Sequence, residues 1–195
     1  METKNIAVFA SGNGSNAENL IRYFNDGSHR AGKVALVVCN RSEAGVIGRA
    51  ERLGVPVRVM SRAEINDPDC ILPLMRDYGI DLIVLAGFLL MVPPFIVEGY
   101  KDRIVNIHPS LLPKYGGKGM YGIHVHRAVV EAAEAETGIT VHLVTDRCDE
   151  GAVLFQARTS VAPTDTPEDV ESKVHALERE HFPRAVHDYL TNIFS

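Results

Sequence analysis

Charge of one sign is nowhere concentrated in this chain. Its 195 residues carry a net charge of −5 and no basic run, so affinity for bulk nucleic acid is not expected. Cysteine is scarce: Cys39, Cys70 and Cys148 include no C-x-x-C pair and cannot all pair, which fits a reducing compartment. Long apolar runs are missing too. The longest uncharged stretch, 82–97, is interrupted by Pro93 and Pro94 and falls short of the ~20 residues that span a bilayer. Residues 1–5 carry Glu2 and Lys4 and no apolar h-region, so no signal peptide is read. Internal repeats, low-complexity tracts and linkers are also lacking. What remains is a chain with 46% hydrophobic residues, enough for a real core. The expectation is one cytoplasmic domain over 1–195, a monomer or homodimer, with small-molecule partners, no membrane and no nucleic acid.

Strand and helix patterns alternate. Residues 5–10 read as a first buried strand, and Ala17, Leu20, Ile21 and Phe24 repeat at helical spacing before Gly27. Strands are expected at 34–38, 55–59 and 81–86, with helices at 44–53 and 69–78. A strand at 104–108 and a helix at 123–135 follow. Stretches 138–145 and 153–161 read as a hairpin at the sheet edge, and 167–189 as a closing helix kinked at Pro183. This is an α/β pattern: one doubly wound, mostly parallel sheet flanked by helices, with a mixed C-terminal edge.

The run I-V-N-I-H-P-S-L-L-P at 104–113 carries the first chemistry. Side chains alternate along a strand, so Asn106 and His108 share a face. Pro109 closes the strand at its carboxyl end, where open parallel sheets hold ligands. An imidazole there moves protons near neutral pH, and an amide donates to a developing oxyanion. A satisfied core histidine beside a turn-forming asparagine is the plainer reading of any isolated N-x-H.

A glycine-rich turn, Gly12-Asn13-Gly14-Ser15-Asn16, follows the first strand and opens the first helix. Glycine permits a sharp turn and close approach, and a helix start presents N–H groups and partial positive charge. Together they form a phosphate site needing no Lys or Arg. The alternative is a plain strand-to-helix turn with a Ser or Asn cap. The turn is not G-x-G-x-x-G, and Asn40 stands where a dinucleotide's ribose clamp would be acidic.

A loop with Thr145, Asp146, Arg147, Cys148, Asp149 and Glu150 is crowded with charge. One carboxylate there could orient His108 and favour its imidazolium form. Position alone does not choose among Asp146, Asp149 and Glu150. His124, His126 and His142 lack zinc-site spacing, so no metal is expected; His142, between Val141 and Leu143, reads as an ordinary strand residue. Cys148 has acidic neighbours that raise a thiol pKa, so it reads as incidental. His175 and Glu178 are three apart and share a helix face, which by itself suggests only a solvated face.

Four segments together resemble the phosphoribosylglycinamide formyltransferase branch of the folate-dependent formyltransferases: S-G-N-G-S-N at 11–16, L-A-G-F at 85–88, N-I-H-P-S-L-L-P-K-Y at 106–115 and V-T-D-x-x-D-x-G at 144–151. The resemblance implies a Rossmann-like formyltransferase fold and 10-formyltetrahydrofolate as co-substrate. It implies Asn106, His108 and Asp149 as the catalytic set, with protonated His108 supported by Asp149. It assigns Gly12, Asn13, Gly14, Ser15, Asn16, His175 and Glu178 to the ribonucleotide. It places Phe88, Leu89, Leu90, Met91, Val92, Thr145, Asp146, Arg147 and Cys148 along the folate, and needs no metal at His124 or His126. Two departures stand out. A longer glycine-rich stretch, 116–122, replaces the family's Pro-Gly, and Leu89 to Val92 run where a basic residue is common. A formyltetrahydrofolate hydrolase shares the Asn-His-Asp set but usually carries an added N-terminal domain, and a methionyl-tRNA formyltransferase an added C-terminal one. A nucleotide-binding module without catalysis leaves the polar set unexplained.

Overall fold

The computed structural model describes residues 3–194, so the reading taken from Met1 and Glu2 lies outside it. Its elements are β1 (Lys4–Ala10), α1 (Ser15–Asn25), β2 (Gly32–Cys39), α2 (Gly45–Arg52), β3 (Val57–Val59), α3 (Arg62–Ile65), α4 (Pro68–Asp77), β4 (Ile80–Leu85), α5 (Pro94–Gly99), β5 (Ile104–His108), α6 (Ile123–Glu131), β6 (Glu136–Leu143), β7 (Val153–Ser160) and α7 (Pro167–Ile193). The strand order is β3-β2-β1-β4-β5-β6-β7. By contact density the chain divides into residues 1–105 with 186–195, and residues 106–185. The division falls inside β5.

In the first unit β1 pairs in parallel with β2 and β4, and β2 with β3. The strands are apolar on both faces: Ile6 to Ala10 of β1 and Leu82 to Val84 of β4 are fully buried. That pattern belongs to parallel strands covered by helices. Helix α1 buries Ala17, Leu20, Ile21 and Phe24 on one stripe, the stripe its spacing predicts. Phe9 and Leu85 are register partners, so β1 and β4 end together. Their following segments then meet: Ser11 N–H donates to the Gly87 carbonyl at 3.0 Å.

In the second unit β6 and β7 pair antiparallel from Glu136↔Ser160 to His142↔Val153, the expected hairpin edge. The core includes Val125, Val129, Ile139, Val141, Val170, Val174 and Phe182.

Two short helices escape the periodicity argument. Helix α3 spans four residues and stands on a capping box. The Ser61 hydroxyl accepts from Glu64 N–H, and the Glu64 carboxylate accepts from Ser61 N–H. In α5, Pro94 occupies the first turn, where its missing N–H costs nothing; the Pro-Pro pair starts a helix rather than only breaking a run. Helix α7 continues through Pro183 to Ile193, past the expected end at 189. Among the described residues no helix is long and apolar enough to cross a membrane.

Candidate active site

The glycine-rich turn leaves β1 and enters α1 through Gly14, which is the helix N-cap with φ 81°. No side chain caps α1, against the Ser or Asn cap of the plainer reading. The reason for Gly14 is internal. A Cβ there would lie 2.5 Å from Val46 Cβ and 2.6 Å from its Cα, so α2 packs where a side chain would be. Gly12, by contrast, has open space where its Cβ would go. Helix α2 also holds the turn by hydrogen bonds. Val46 N–H donates to the Gly12 carbonyl at 3.2 Å, and Arg49 Nε donates to the Asn13 carbonyl at 2.8 Å. Beneath the turn, buried Ser11 donates to Asn40 Oδ1 at 2.6 Å and accepts from Leu89 N–H at 2.9 Å. Asn40 therefore supports the turn. Of the segment expected along the folate, Phe88 packs edge-on against Phe9. Leu89 and Met91 are exposed, and Val92 is buried.

In the second unit Asn106, His108 and Asp149 come together around a residue that strand reasoning passed over. His142 is 2% exposed. Its Nδ1 lies 2.8 Å from the Leu143 carbonyl, which only accepts, so Nδ1 carries the proton. Its Nε2 then accepts from Asn106 Nδ2 at 3.0 Å and lies 3.6 Å from Asp149 Oδ1. One of the two Asn106 amide protons is thus committed to His142, and the amide has a second one. A histidine two places from Thr140, on the same face of the strand, was the available signal.

His108 is 4% exposed. Its Nε2 donates to the Tyr115 carbonyl at 2.7 Å, and its Nδ1 lies 3.6 Å from Asp149 Oδ2. Burial pushes the His108 pKa below its ordinary value, outweighing the Asp149 charge and the Tyr115 carbonyl, which raise it. The expected imidazolium is therefore not the resting form near neutral pH: desolvation beats the carboxylate. For Asp149, burial acts upward, but the His142 imidazole, the Gly117 N–H at 2.9 Å and the His108 charge bring its pKa down to about 2. Asp149 is the carboxylate of the set. Asp146 and Glu150 are exposed, and Glu150 pairs with Arg147 at 3.5 Å.

Backbone geometry aims these groups. Asp149 has φ 57° and Tyr115 φ 55°, sparsely populated for side-chain-bearing residues. A Cβ on Gly151 would fall 1.7 Å from the Leu143 carbonyl, so the chain closes tightly onto β6 two residues after Asp149. Thr140 anchors the segment after β5: its hydroxyl donates to the Ser110 carbonyl at 2.7 Å and accepts from Leu112 N–H at 3.0 Å. Thr145 accepts from Arg147 N–H at 3.2 Å. Cys148 is exposed; partial burial and then the Asp149 charge raise its thiol pKa, which suits an unreactive thiol.

Helix α7 separates its two candidates. Glu178 is 7% exposed and lies on the buried stripe with Val170 and Val174, whereas His175 is exposed. The expectation of one shared solvated face fails for Glu178, because i and i+4 positions stack. On α6, His126 is 1% exposed, and its Nδ1 has no partner among the described residues. Burial, then the nearby His175 and His108, depress its pKa to about 4. Among the described residues no three His, Cys, Asp or Glu side chains group as a metal would need.

Residues 4–186 match the Formyl transferase family. The chain is 40% identical over 183 residues to the chloroplastic phosphoribosylglycinamide formyltransferase of Arabidopsis thaliana, covering 91% of this chain and 62% of that one. It is 34% identical over 191 residues to the Bacillus subtilis phosphoribosylglycinamide formyltransferase, covering 96% and 95%. The chain thus spans about three fifths of the length of the plant relatives it matches and nearly all of the Bacillus protein. The solved structure of glycinamide ribonucleotide transformylase 1 from Geobacillus kaustophilus superposes with a TM-score of 0.87 at 36% identity, over 97% of this chain and 100% of that one. With a mostly parallel seven-stranded sheet, an Asn-His-Asp cluster at the end of β5 and these relatives, the chain belongs to the formyl transferase family, in its phosphoribosylglycinamide formyltransferase branch.

Proposed function

We propose that this chain, acting as one catalytic domain, transfers the formyl group of 10-formyltetrahydrofolate to the amine of glycinamide ribonucleotide. The observation that carries the reading is the network that buried His108 and His142 make with half-buried Asn106 and Asp149. Its donors suit an oxyanion, and it contains no activated nucleophile of its own. The substrate amine attacks the formyl carbon directly. The carbonyl oxygen becomes an oxyanion, which accepts from the remaining Asn106 N–H and from His108 Nε2–H once the Tyr115 carbonyl gives way. Negative charge growing beside His108 raises its proton affinity, so it takes the proton released by the attacking amine, and ionised Asp149 stabilises the imidazolium that results. The bond from carbon to N10 breaks as the C=O re-forms, and N10 takes that proton back from the imidazolium as tetrahydrofolate leaves. Gly12 to Asn16 hold the ribonucleotide phosphate on the start of α1. Glu178, with His175 nearer solvent, serves its amine end. Phe88 to Val92 and Thr145 to Cys148 line the folate.

The test uses purified protein and both substrates, following loss of formyl-folate. Consumption that requires the ribonucleotide, one formyl per amine, is expected. Consumption at full rate without it makes the chain a hydrolase and ends the transferase reading.

A further inference from the structure

Arg49 on α2 makes contacts that a surface helix residue has no need to make. Its Nε donates to the Asn13 carbonyl at 2.8 Å and one terminal nitrogen to Asn13 Oδ1 at 3.1 Å. The other terminal nitrogen pairs with Glu18. Glu18 lies in the first turn of α1 and is held on its second oxygen by Arg22 at 2.7 Å.

Two consequences follow from elementary geometry. A trans peptide is planar, with its C=O and N–H pointing opposite ways. Fixing the Asn13 carbonyl toward α2 fixes the Gly14 N–H away from it. Val46 N–H on the Gly12 carbonyl does the same for the Asn13 N–H. Two successive amides are thereby aimed to one side, the arrangement that receives an anion. The second consequence concerns charge. A free carboxylate in the first turn of α1 would repel an anion bound at that turn. The guanidinium groups of Arg49 and Arg22 offset it.

We propose that Arg49 is a positioning residue for the ribonucleotide phosphate: it sets the Asn13–Gly14 peptide and neutralises Glu18 without touching the ligand. This rests on the phosphate assignment of the turn made above.

The experiment compares Arg49→Gln and Arg49→Lys with the unaltered protein. Steady-state rates give KM and kcat, and calorimetry gives affinity for the ribonucleotide and for its dephosphorylated form. Arg49→Gln is expected to raise ribonucleotide KM about tenfold or more, the size of losing hydrogen bonds to a charged group, with little change in kcat or in the KM for formyl-folate. Affinity for the dephosphorylated form should hold. Arg49→Lys keeps the charge but loses the two-pronged grip, and should restore only part of the loss. Equal weakening of both forms in Arg49→Gln means general loosening and overturns the proposal, as does no weakening of either. If thermal unfolding shows Arg49→Gln unfolded, unchanged ribonucleotide KM in Arg49→Lys overturns it. Formyl consumption independent of ribonucleotide would defeat the transferase reading alone. Calorimetric loss of phosphate-dependent binding in Arg49→Gln would still support the role of Arg49. Unaltered protein that binds both forms equally overturns that role.

Discussion

The turn after β1 and the cluster at the end of β5 are built by opposite means. The turn is a backbone object. Its shape depends on Gly14 at φ 81°, on α2 filling the space a side chain would take, and on carbonyls pinned by Val46 and Arg49. The cluster is a side-chain object, in which each group is oriented by another: His142 by the Leu143 carbonyl, Asn106 by His142, and Asp149 by Gly117 N–H. A backbone site resists point changes except at its glycines and at the side chain that pins its carbonyls, Arg49. A side-chain network transmits the loss of any member to the rest. The contrast can be broken at either end.

The largest effect belongs to the cluster. His108→Ala should lower turnover by ~10²–10⁴-fold, the usual size of an acid–base contribution, while ribonucleotide affinity, on the proposed phosphate assignment of the turn, stays put. Calorimetry and single-turnover rates on the same preparation check both halves. Turnover near that of the unaltered protein removes His108 from the chemistry.

Acid should strike next, and only where histidines are buried. His126 has its folded pKa depressed to about 4, so below its unfolded pKa of ~6.5 the unfolded chain binds more protons. Stability is then flat above that pH and falls as pH drops toward 4, by about 2 kcal/mol at pH 5 from this one group. His108 acts in the same direction. Asp149, at about 2, stays ionised throughout and adds nothing in this window. Urea unfolding at pH 7.5 and pH 5 should show the drop, and His126→Leu should shrink it. An undiminished drop in that variant places the acid sensitivity elsewhere.

The turn has its own paired test. Gly14→Ala should cost roughly 1–3 kcal/mol of stability, from left-handed strain and overpacking against Val46. Gly12→Ala meets open space and should leave the melting temperature unchanged while weakening ribonucleotide binding. Equal thermal shifts in the two variants would mean α2 does not distinguish them.

The smallest expected effect sharpens the network. His142→Gln should slow turnover about tenfold, as an oriented hydrogen bond to Asn106 is lost. Unchanged turnover in the folded variant contradicts the coupling.

This difference in construction also explains what could be read from sequence. Strands β1, β2, β4 and β5 and the stripe of α1 were legible because burial on both faces and 3.6-residue spacing are local patterns. The glycine turn was legible because φ above zero is written into residue type. The reason for Gly14 was not, since Val46 is 32 residues away. His142 looked like any strand residue, because its partner Asn106 is 36 residues away and Asp149 reaches it only through the turn of the loop that follows β6. Neutral His108 was equally hidden: a nearby carboxylate is visible in a motif, and the depth of burial is not. The cap of α3, S-R-A-E at 61–64, was present but too short to show periodicity.

The Tyr115 carbonyl on His108 Nε2 bears on selectivity. The donor is satisfied before any ligand arrives, so on the proposed reading binding is an exchange of acceptors. A donor molecule with a formyl oxygen replaces the carbonyl and breaks even. One lacking that oxygen either leaves the Nε2–H unpaired, at about 1–3 kcal/mol, or leaves it on the Tyr115 carbonyl. On that reading the protein discriminates formylated from spent cofactor through a contact it makes with itself.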